Sequence, residues 1–534
     1  MASTDPDLPR DSWVCSLAEE AEEEASNNKA MEEFLNNIYS SNDTKSTADK
    51  ASLQKQRRMI KNRESAARSR ERKQAYTLEL ECLVLQLEAE NTRLLEEQAQ
   101  IKRQRNKMNL ECISRKCIKP SSPTPPNLQI FNMSLLDQLS PNIHGNITFF
   151  YPHKTSAQEF SAKSQLLQDS LSQILTLFYP LAARLRDAAT IHCNDQGAFF
   201  IQSRTQTPLS QILSPPNFDI IQNLLPTTHS DSLLLVRFTL FGCGATAITI
   251  SLTHKIADFA ALITLLKAWT AACIGGDTQP VVPELAIGSA LFPPREILPA
   301  GISGSVNIAA EKFTTRRLIF ESSKVEELKK RVKSELQFEA SRVEVVLGLI
   351  WRCALLTTSK RKTPSTLFQA VNLRRRMEPP IPETALGNLV WAFAVTVEEE
   401  CEVELQVVVK KMRDSLKEFM ERKGERLNNS EGRCEVVMED LKERGEMLKK
   451  SGNVVYKCSS WCKVGSSLYE VDFGWGKPLW MCSVNNIVSN TVALMDTRDG
   501  HGVEAFVTLD HQHMDSFQQS QELLHYALLN PPLL

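Results

Sequence analysis

His254 and Asp258 stand four residues apart in the run HKIAD. A neutral imidazole at the mouth of a buried strand can take a proton from an alcohol or an amine, so this pairing suits general-base catalysis. The spacing alone says little: His511 and Asp515 repeat it in the polar stretch DHQHMD, and that second match is read as chance. A different chemistry is written near the N-terminus. Asn62, Arg70 and Leu80 follow the pattern N-x7-R-x9-L, and on one helix Asn62, Ser65, Ala66, Ser69 and Arg70 share a face. Small residues there let a helix sink into the DNA major groove, where Asn62 can bond base edges and Arg70 can make bidentate contacts to guanine or phosphate. Arg57, Arg58, Lys61, Arg63, Arg68, Arg72 and Lys73 would neutralise phosphates, so binding should weaken steeply with salt.

The elements that must position these groups differ along the chain. Residues 51–108 contain no proline and no glycine and are rich in Arg, Glu, Gln and Leu, which predicts one long helix. Its basic part, 55–73, leads into a heptad pattern over 77–108. Leu80, Leu87 and Leu94 recur every seventh residue at d, followed by Ile101 and Met108. Thr77, Val84, Asn91, Gln98 and Arg105 fall at a. A leucine seam with one Asn at a favours a parallel two-stranded coiled coil, because Asn91 pairs only with its mate in register. Glu97 at g can reach Lys102 at e of the partner. Gln98 and Arg105 are poor core residues, so the zipper is expected to fray after about Leu95. Residues 1–50 are acidic and Ser/Asn-rich, which predicts disorder apart from an amphipathic patch at Met31–Tyr39.

From about residue 109 short strands and medium helices alternate. Leu233–Phe241 and Ala245–Thr253 read as two strands joined by Gly242-Cys243-Gly244, with Ile248, Ile250, Leu252 and His254 on one inward face. Asp258–Cys273 reads as a buried helix. Gln158–Phe178 carries a helical stripe of Phe160, Leu166, Leu167, Leu171, Ile174 and Phe178. Residues 277–305 are rich in Pro, Gly and Ser and read as a long linker between two halves, 109–290 and 291–534. Capping boxes at Ser323/Glu326 and Ser341/Glu344 open two helices. A charged helical stretch covers 403–450, and a terminal helix covers 516–529.

Composition narrows the function classes. The chain has 534 residues, 42% hydrophobic and 24% charged, which is ordinary for globular domains but too long for one. Its 13 cysteines show no CxxC pair and no zinc-ligand spacing, so no metal is expected and the thiols are read as reduced and intracellular. The N-terminus MASTDPDLPR lacks the apolar core of a secretory signal. The most apolar stretch, Leu233 to Leu252, is broken by Arg237, Gly242 and Gly244, so no membrane partner is expected.

The run NRESAARSRERKQAY and the spaced leucines resemble plant basic-leucine-zipper (bZIP) proteins of the abscisic-acid-response-element and G-box-binding type. MEEFLNNIYS resembles a short motif upstream of their basic region. The resemblance implies a homo- or heterodimer on DNA sites with an ACGT core, hence a nuclear location. Over nearly all of 109–534 a second resemblance takes over. HKIAD, then DFGWGKP from Asp472 to Pro478, resemble in kind and order the plant BAHD acyltransferases. YPLAARLRD (Tyr179–Asp187), NLRRRMEPPIPE (Asn372–Glu383), Gly387-Asn388 and SRKCIKPSSPTP (Ser114–Pro125) agree, the last pointing to the vinorine-synthase-like branch.

That resemblance implies two chloramphenicol-acetyltransferase-like α/β halves with a channel between them. Acyl-CoA, with acetyl favoured by branch, would be the co-substrate and a small-molecule alcohol the acceptor, with no bound cofactor. His254 would be the base, acting without a covalent acyl-enzyme. Asp258 would point away and pair with an Arg, for which Arg374 is the candidate. A Ser-Ser-Trp motif matches Ser459, Ser460 and Trp461, making Ser459 and Trp461 candidate oxyanion donors; Trp461 reads equally as a core aromatic. Asp472, Gly474, Trp475 and Gly476 look structural. Two departures stand out: Ala183-Arg184 replaces the usual Gly-Arg, and Trp461 to Tyr469 (CKVGSSLYE) is two residues longer than the family pattern and lacks its proline. The fold class is therefore a long coiled-coil helix followed by a two-subdomain α/β acyltransferase. Because the stretch from Met108 to Ser114 could also open a free-standing acyltransferase, three readings stay open. They are a true fusion, a transcription factor with an inactive or ligand-sensing second part, and two adjacent genes read as one. A separate acyltransferase would be cytoplasmic.

Overall fold

The computed structural model describes residues 33, 47–105, 108–226, 231–275, 280–298, 313–336, 338–357, 364–398, 403–449, 454–484 and 488–534. They fall into two compact units, one within residues 1–102 and one within 103–534. Apart from Glu33 and the first turn of the long helix, the acidic segment and its Met31–Tyr39 patch lie outside the described residues.

The first unit is built on one uninterrupted helix, which starts at Thr47 and continues to Arg105. The helix itself thus runs on past Leu95. Gln, Glu, Lys and Arg are poor in a coiled-coil core but good helix formers on a single helix. Asn62, Ser65, Ala66, Ser69 and Arg70 are all exposed, as are Arg57, Arg58, Lys61, Arg63, Arg68, Arg72 and Lys73. Leu80, Leu87 and Leu94 expose 43%, 61% and 46% of their surface, and Val84 and Asn91 are exposed with them. A row of leucines this open along one helix is a face awaiting a partner. Met108 does not extend that row. It is buried in the core of the second unit, so the zipper stops short of it.

The second unit holds two mixed sheets. The six-stranded sheet runs Glu111–Ile118, Ala198–Thr205, Leu234–Phe241, Thr246–Thr253, His144–Tyr151, Trp480–Cys482. The seven-stranded sheet runs Val390–Val397, Ser365–Asn372, Val454–Ser460, Thr491–Asp496, Val503–Asp510, Phe313–Phe320, Leu528–Leu529. The two predicted strands around the glycine turn pair antiparallel, Leu234 opposite Leu252. Both glycines are required there. Gly244 has φ +88°, and a Cβ on Gly242 would collide with the Gln206 carbonyl. The helix Ala157–Leu177 buries Phe160, Leu167, Leu171 and Ile174 of the predicted stripe, whereas Leu166 faces outward.

Several expectations need correction. The two halves are not cleanly separated at residue 290. Trp480–Cys482 crosses back to complete the first sheet beside His144–Tyr151, and Leu135 and Leu136 supply the second core. The described part of the predicted linker, 280–298, is anchored rather than free. It contains the helix Ile287–Leu291, the fully buried Phe292, and a hydrogen bond from Leu386 N to Glu284 O of 2.8 Å. The capping box at Ser341/Glu344 forms, but the one at Ser323/Glu326 does not. That helix begins at Ser322, with Glu321 rather than Ser323 in the N-cap position, and Glu326 pairs instead with Lys329 at 2.7 Å. The terminal helix is two short ones, His511–Phe517 and Gln521–Tyr526, because Ser520 caps a new start; Leu528–Leu529 is a strand. Among the described residues no helix is long and apolar enough to cross a membrane.

Candidate active site

The Thr246–Thr253 strand is buried on both faces and ends one residue before His254. His254 therefore opens the turn leading to the Phe259–Ile274 helix. Its backbone is clamped from two sides: His254 N donates to Ile143 O at 2.8 Å, and His254 O accepts from Asn388 Nδ2 at 2.7 Å. The imidazole is half-buried and lines a cavity between the two halves. Asn146, Phe259, Asn372, Ser459, Ser460 and Trp461 line the same cavity.

Asp258 is the N-cap of the following helix, its Oδ1 accepting from Ala261 N at 2.9 Å. Both its oxygens are held by Arg374, at 2.6 and 3.1 Å, in a bidentate fork. Leu389 N adds a second donor to Oδ2 at 3.0 Å. Arg374 is fully buried and Asp258 nearly so. The carboxylate is thus fully occupied by the cap and by the second half, with nothing left to orient an imidazole. The buried Nδ1 of His254 has no hydrogen-bond partner, so the ring is held by its backbone rather than by an acid behind it.

A second buried acid was not legible in the motifs. Asp137, 2% exposed, accepts from Ser134 N and Oγ and from Asn388 N and Nδ2 at 2.7–2.9 Å. Burial pushes its carboxyl up, opposed by those four donors. Asn388 therefore bridges Asp137 to the His254 carbonyl. Gly387 before it has φ +120°, and a Cβ there would meet the Asp137 carboxylate at 3.5 Å. The signals for this link were the Ser134/Asp137 capping box and the Gly387-Asn388 pair, but only folding joins them. Asn388→Ala should cost about 1–3 kcal/mol in urea unfolding, because it removes the Nδ2 donor from a buried carboxylate and from the His254 carbonyl. A change under a few tenths of a kcal/mol would show that the link carries no strain.

Trp461 stacks on Phe259, centroids 4.2 Å apart and 5° from parallel. Its backbone N–H donates to Leu494 O at 2.6 Å, so only the indole and its ring face remain for the site. Ser459 is exposed on its strand and faces the cavity. The longer loop after Trp461 folds as the 3-10 helix Gly465–Glu470. Lys463 N is held by Asp496 at 2.6 Å, and Val464 reaches the cavity wall. Burial lifts the thiols of Cys273 and Cys462 to about 11 and that of Cys193 to about 12, which leaves them poor nucleophiles.

The DFGWG run lies away from the cavity lining. Asp472 Oδ1 accepts from Gly474 N and Gly476 N at 2.8 and 2.9 Å, and both glycines have φ +102°. A Cβ on Gly476 would sit 2.8 Å from His153 Nε2. Phe473 and Trp475 pack edge-on to Tyr151, whose hydroxyl donates to Val471 O at 3.0 Å. The run fastens the crossing strand to the first sheet. His511 is remote from this chemistry as well, opening a short helix with Nδ1 2.5 Å from Thr314 Oγ1. Among the described residues no group of His, Cys, Asp or Glu could hold a metal ion.

Residues 108–524 match the model of the transferase family, and residues 50–112 match that of bZIP transcription factors. A BAHD acyltransferase of Arabidopsis thaliana is 33% identical over 446 residues, 79% of this chain and 99% of that protein. The chain belongs to the BAHD acyltransferases. Akuammiline synthase 1 of Alstonia scholaris is 36% identical to this BAHD acyltransferase, over 79% of this chain and 98% of that protein. The crystal structure of vinorine synthase superposes with a TM-score of 0.68 at 32% identity, covering 78% of this chain and 98% of that one. A Fusarium sporotrichioides protein solved with coenzyme A and T-2 shares the fold, with a TM-score of 0.57 at 17% identity over 75% of this chain and 99% of that one. The relatives are thus matched along nearly their whole length by the second unit. This BAHD acyltransferase carries a DNA-binding, dimerising bZIP domain ahead of that unit.

Proposed function

We propose that this chain transfers an acyl group, acetyl by preference, from acyl-CoA to the hydroxyl of a small plant metabolite, and that its bZIP domain binds ACGT-core DNA as a dimer. The observation that carries the enzymatic reading is His254, held at the cavity between the halves while Asp258 is fully engaged by Arg374. Among the relatives, stemmadenine O-acetyltransferase of Catharanthus roseus and a limonoid 7-O-acetyltransferase of Citrus sinensis are named for O-acetyl transfer. In the proposed step His254 takes the alcohol proton as the oxygen attacks the thioester carbonyl. Ser459 and the Trp461 indole, which line the same cavity, would donate to the oxyanion. Collapse of the tetrahedral species breaks the C–S bond, and the departing thiolate takes the proton back from the imidazolium. No enzyme-bound acyl group is required. In the Asp472–Gly476 run the glycines and Trp475 support this site from a distance.

On the DNA side, the exposed face of Asn62, Ser65, Ala66, Ser69 and Arg70 is the reading surface, and the flanking Arg and Lys side chains are phosphate contacts. The chain as a whole then acts in the nucleus; an acyltransferase made separately would act in the cytoplasm. The full chain should release free coenzyme A from acetyl-CoA when given an acceptor alcohol, and should retard an ACGT-containing duplex. Asn62→Ala should weaken that duplex by about 1–3 kcal/mol while leaving scrambled DNA unaffected. Equal losses on both duplexes would remove Asn62 from base reading.

A ligand-sensing reading has one observation behind it. The lengthened loop at Cys462–Tyr469 places Val464 in the cavity wall beside the proposed donors. It requires DNA affinity that responds to acyl-CoA while coenzyme A release stays at background.

A further inference from the structure

The zipper of this chain has unusual edges. On the long helix the e and g positions flank the a/d seam and fall at Tyr76, Glu81, Leu83, Glu88, Glu90 and Leu95. No basic residue occupies an edge position between 76 and 95. Tyr76 and Leu83 are 62% and 51% exposed, and Glu81, Glu88 and Glu90 are exposed as well. In a parallel coiled coil kept in register by Asn91, each g residue faces the e residue five positions further along the partner.

Pairing this helix with a copy of itself places Tyr76 against Glu81, Leu83 against Glu88 and Glu90 against Leu95. In the sequence the next edge pair, Glu97 with Lys102, is one of opposite charge. Three carboxylates are then pressed against aliphatic or aromatic groups, which remove water from them without supplying a charge. Glu90 already has an ion partner on its own helix, Arg93 at 2.8 Å, but that pair is exposed and adds little.

Resting on the bZIP reading, we propose that the preferred partner is a different bZIP chain. It would carry Lys or Arg at the edge positions opposite Glu81, Glu88 and Glu90. Such a partner turns three desolvated carboxylates into three cross-helix ion pairs while keeping the leucine seam and the Asn91 pairing.

The test mixes the full chain with each of two full-length derivatives carrying a different tag. Both contain Glu81→Ala, Glu88→Ala and Glu90→Ala. One adds Tyr76→Lys, Leu83→Lys and Leu95→Lys; the other adds Tyr76→Glu, Leu83→Glu and Leu95→Glu. Native mass spectrometry reads the ratio of mixed to matched dimers. The lysine derivative should form mixed dimers with an exchange constant on the order of ten-fold above statistical mixing, the advantage shrinking in high salt. The glutamate derivative should fall below statistical mixing. Statistical mixing with both overturns the proposal. If the derivatives themselves fold poorly, Tyr76→Arg with Leu83→Arg in the full chain decides it. Those changes should tighten the self-dimer, and an unchanged or weaker self-dimer overturns the proposal too. A chain that stays monomeric alone and with every partner removes the zipper reading itself, a result distinct from either.

Discussion

His254→Ala should lower turnover by about 10²–10⁴-fold, the usual contribution of a positioned general base. The fold should survive, because the residue is held by its backbone, through Ile143 O and Asn388 Nδ2, and its buried Nδ1 bonds to nothing. The KM for acyl-CoA should change little, since the base acts on the acceptor. The measurement is steady-state release of coenzyme A, with urea unfolding of the same variant alongside. Turnover within three-fold of the parent chain would take His254 out of the mechanism and favour the ligand-sensing reading. A large loss of turnover accompanied by equal loss of stability would instead make it a packing residue.

Arg374→Leu should have the largest effect on stability, about 3–5 kcal/mol, because it leaves the Asp258 carboxylate buried without its cation. Asp258→Asn keeps the shape and part of the helix cap but leaves the buried guanidinium without its counter-charge, so it should also be costly. The double variant should recover part of the loss, since removing both charges is cheaper than removing one. Activity should fall in each single variant because the His254 turn loses its anchor. Denaturant unfolding of the two singles and the double gives the coupling directly. Strictly additive losses would mean that the pair is not a unit and that Asp258 acts on its own.

The motifs and their local frames were largely readable from residue order. HKIAD sits where a strand ends and a helix begins, as the apolar alternation before His254 and the buried helix after it required. Arg374 could be chosen as the partner of Asp258 from resemblance alone, and the bidentate fork between them agrees with that choice. Local signals failed where two of them competed. Ser323/Glu326 has the letters of a capping box, yet the helix starts at Ser322, and i,i+3 pairing claims Glu326. The last helix was overextended because its apolar residues continue through a break made by one capping serine, Ser520.

The remainder depends on contacts distant in sequence. Asp137, Asn388 and the His254 carbonyl meet only because a short helix from the first half sits under a turn from the second. Trp461 had two open readings, and its stacking on Phe259 and its backbone bond to Leu494 limit what it can offer. Met108 fits the leucine register as well as Ile101 does, but it is spent in the acyltransferase core. Residue order by itself determined the two domains, the helix with its DNA face and leucine seam, and the strand-turn-helix that carries His254 and Asp258. Periodicity, caps and spacings act over a few residues and are written in that order. The tertiary structure alone decided which buried donors hold those acids and which strand closes the first sheet, because these depend on where distant segments have surface left to bury.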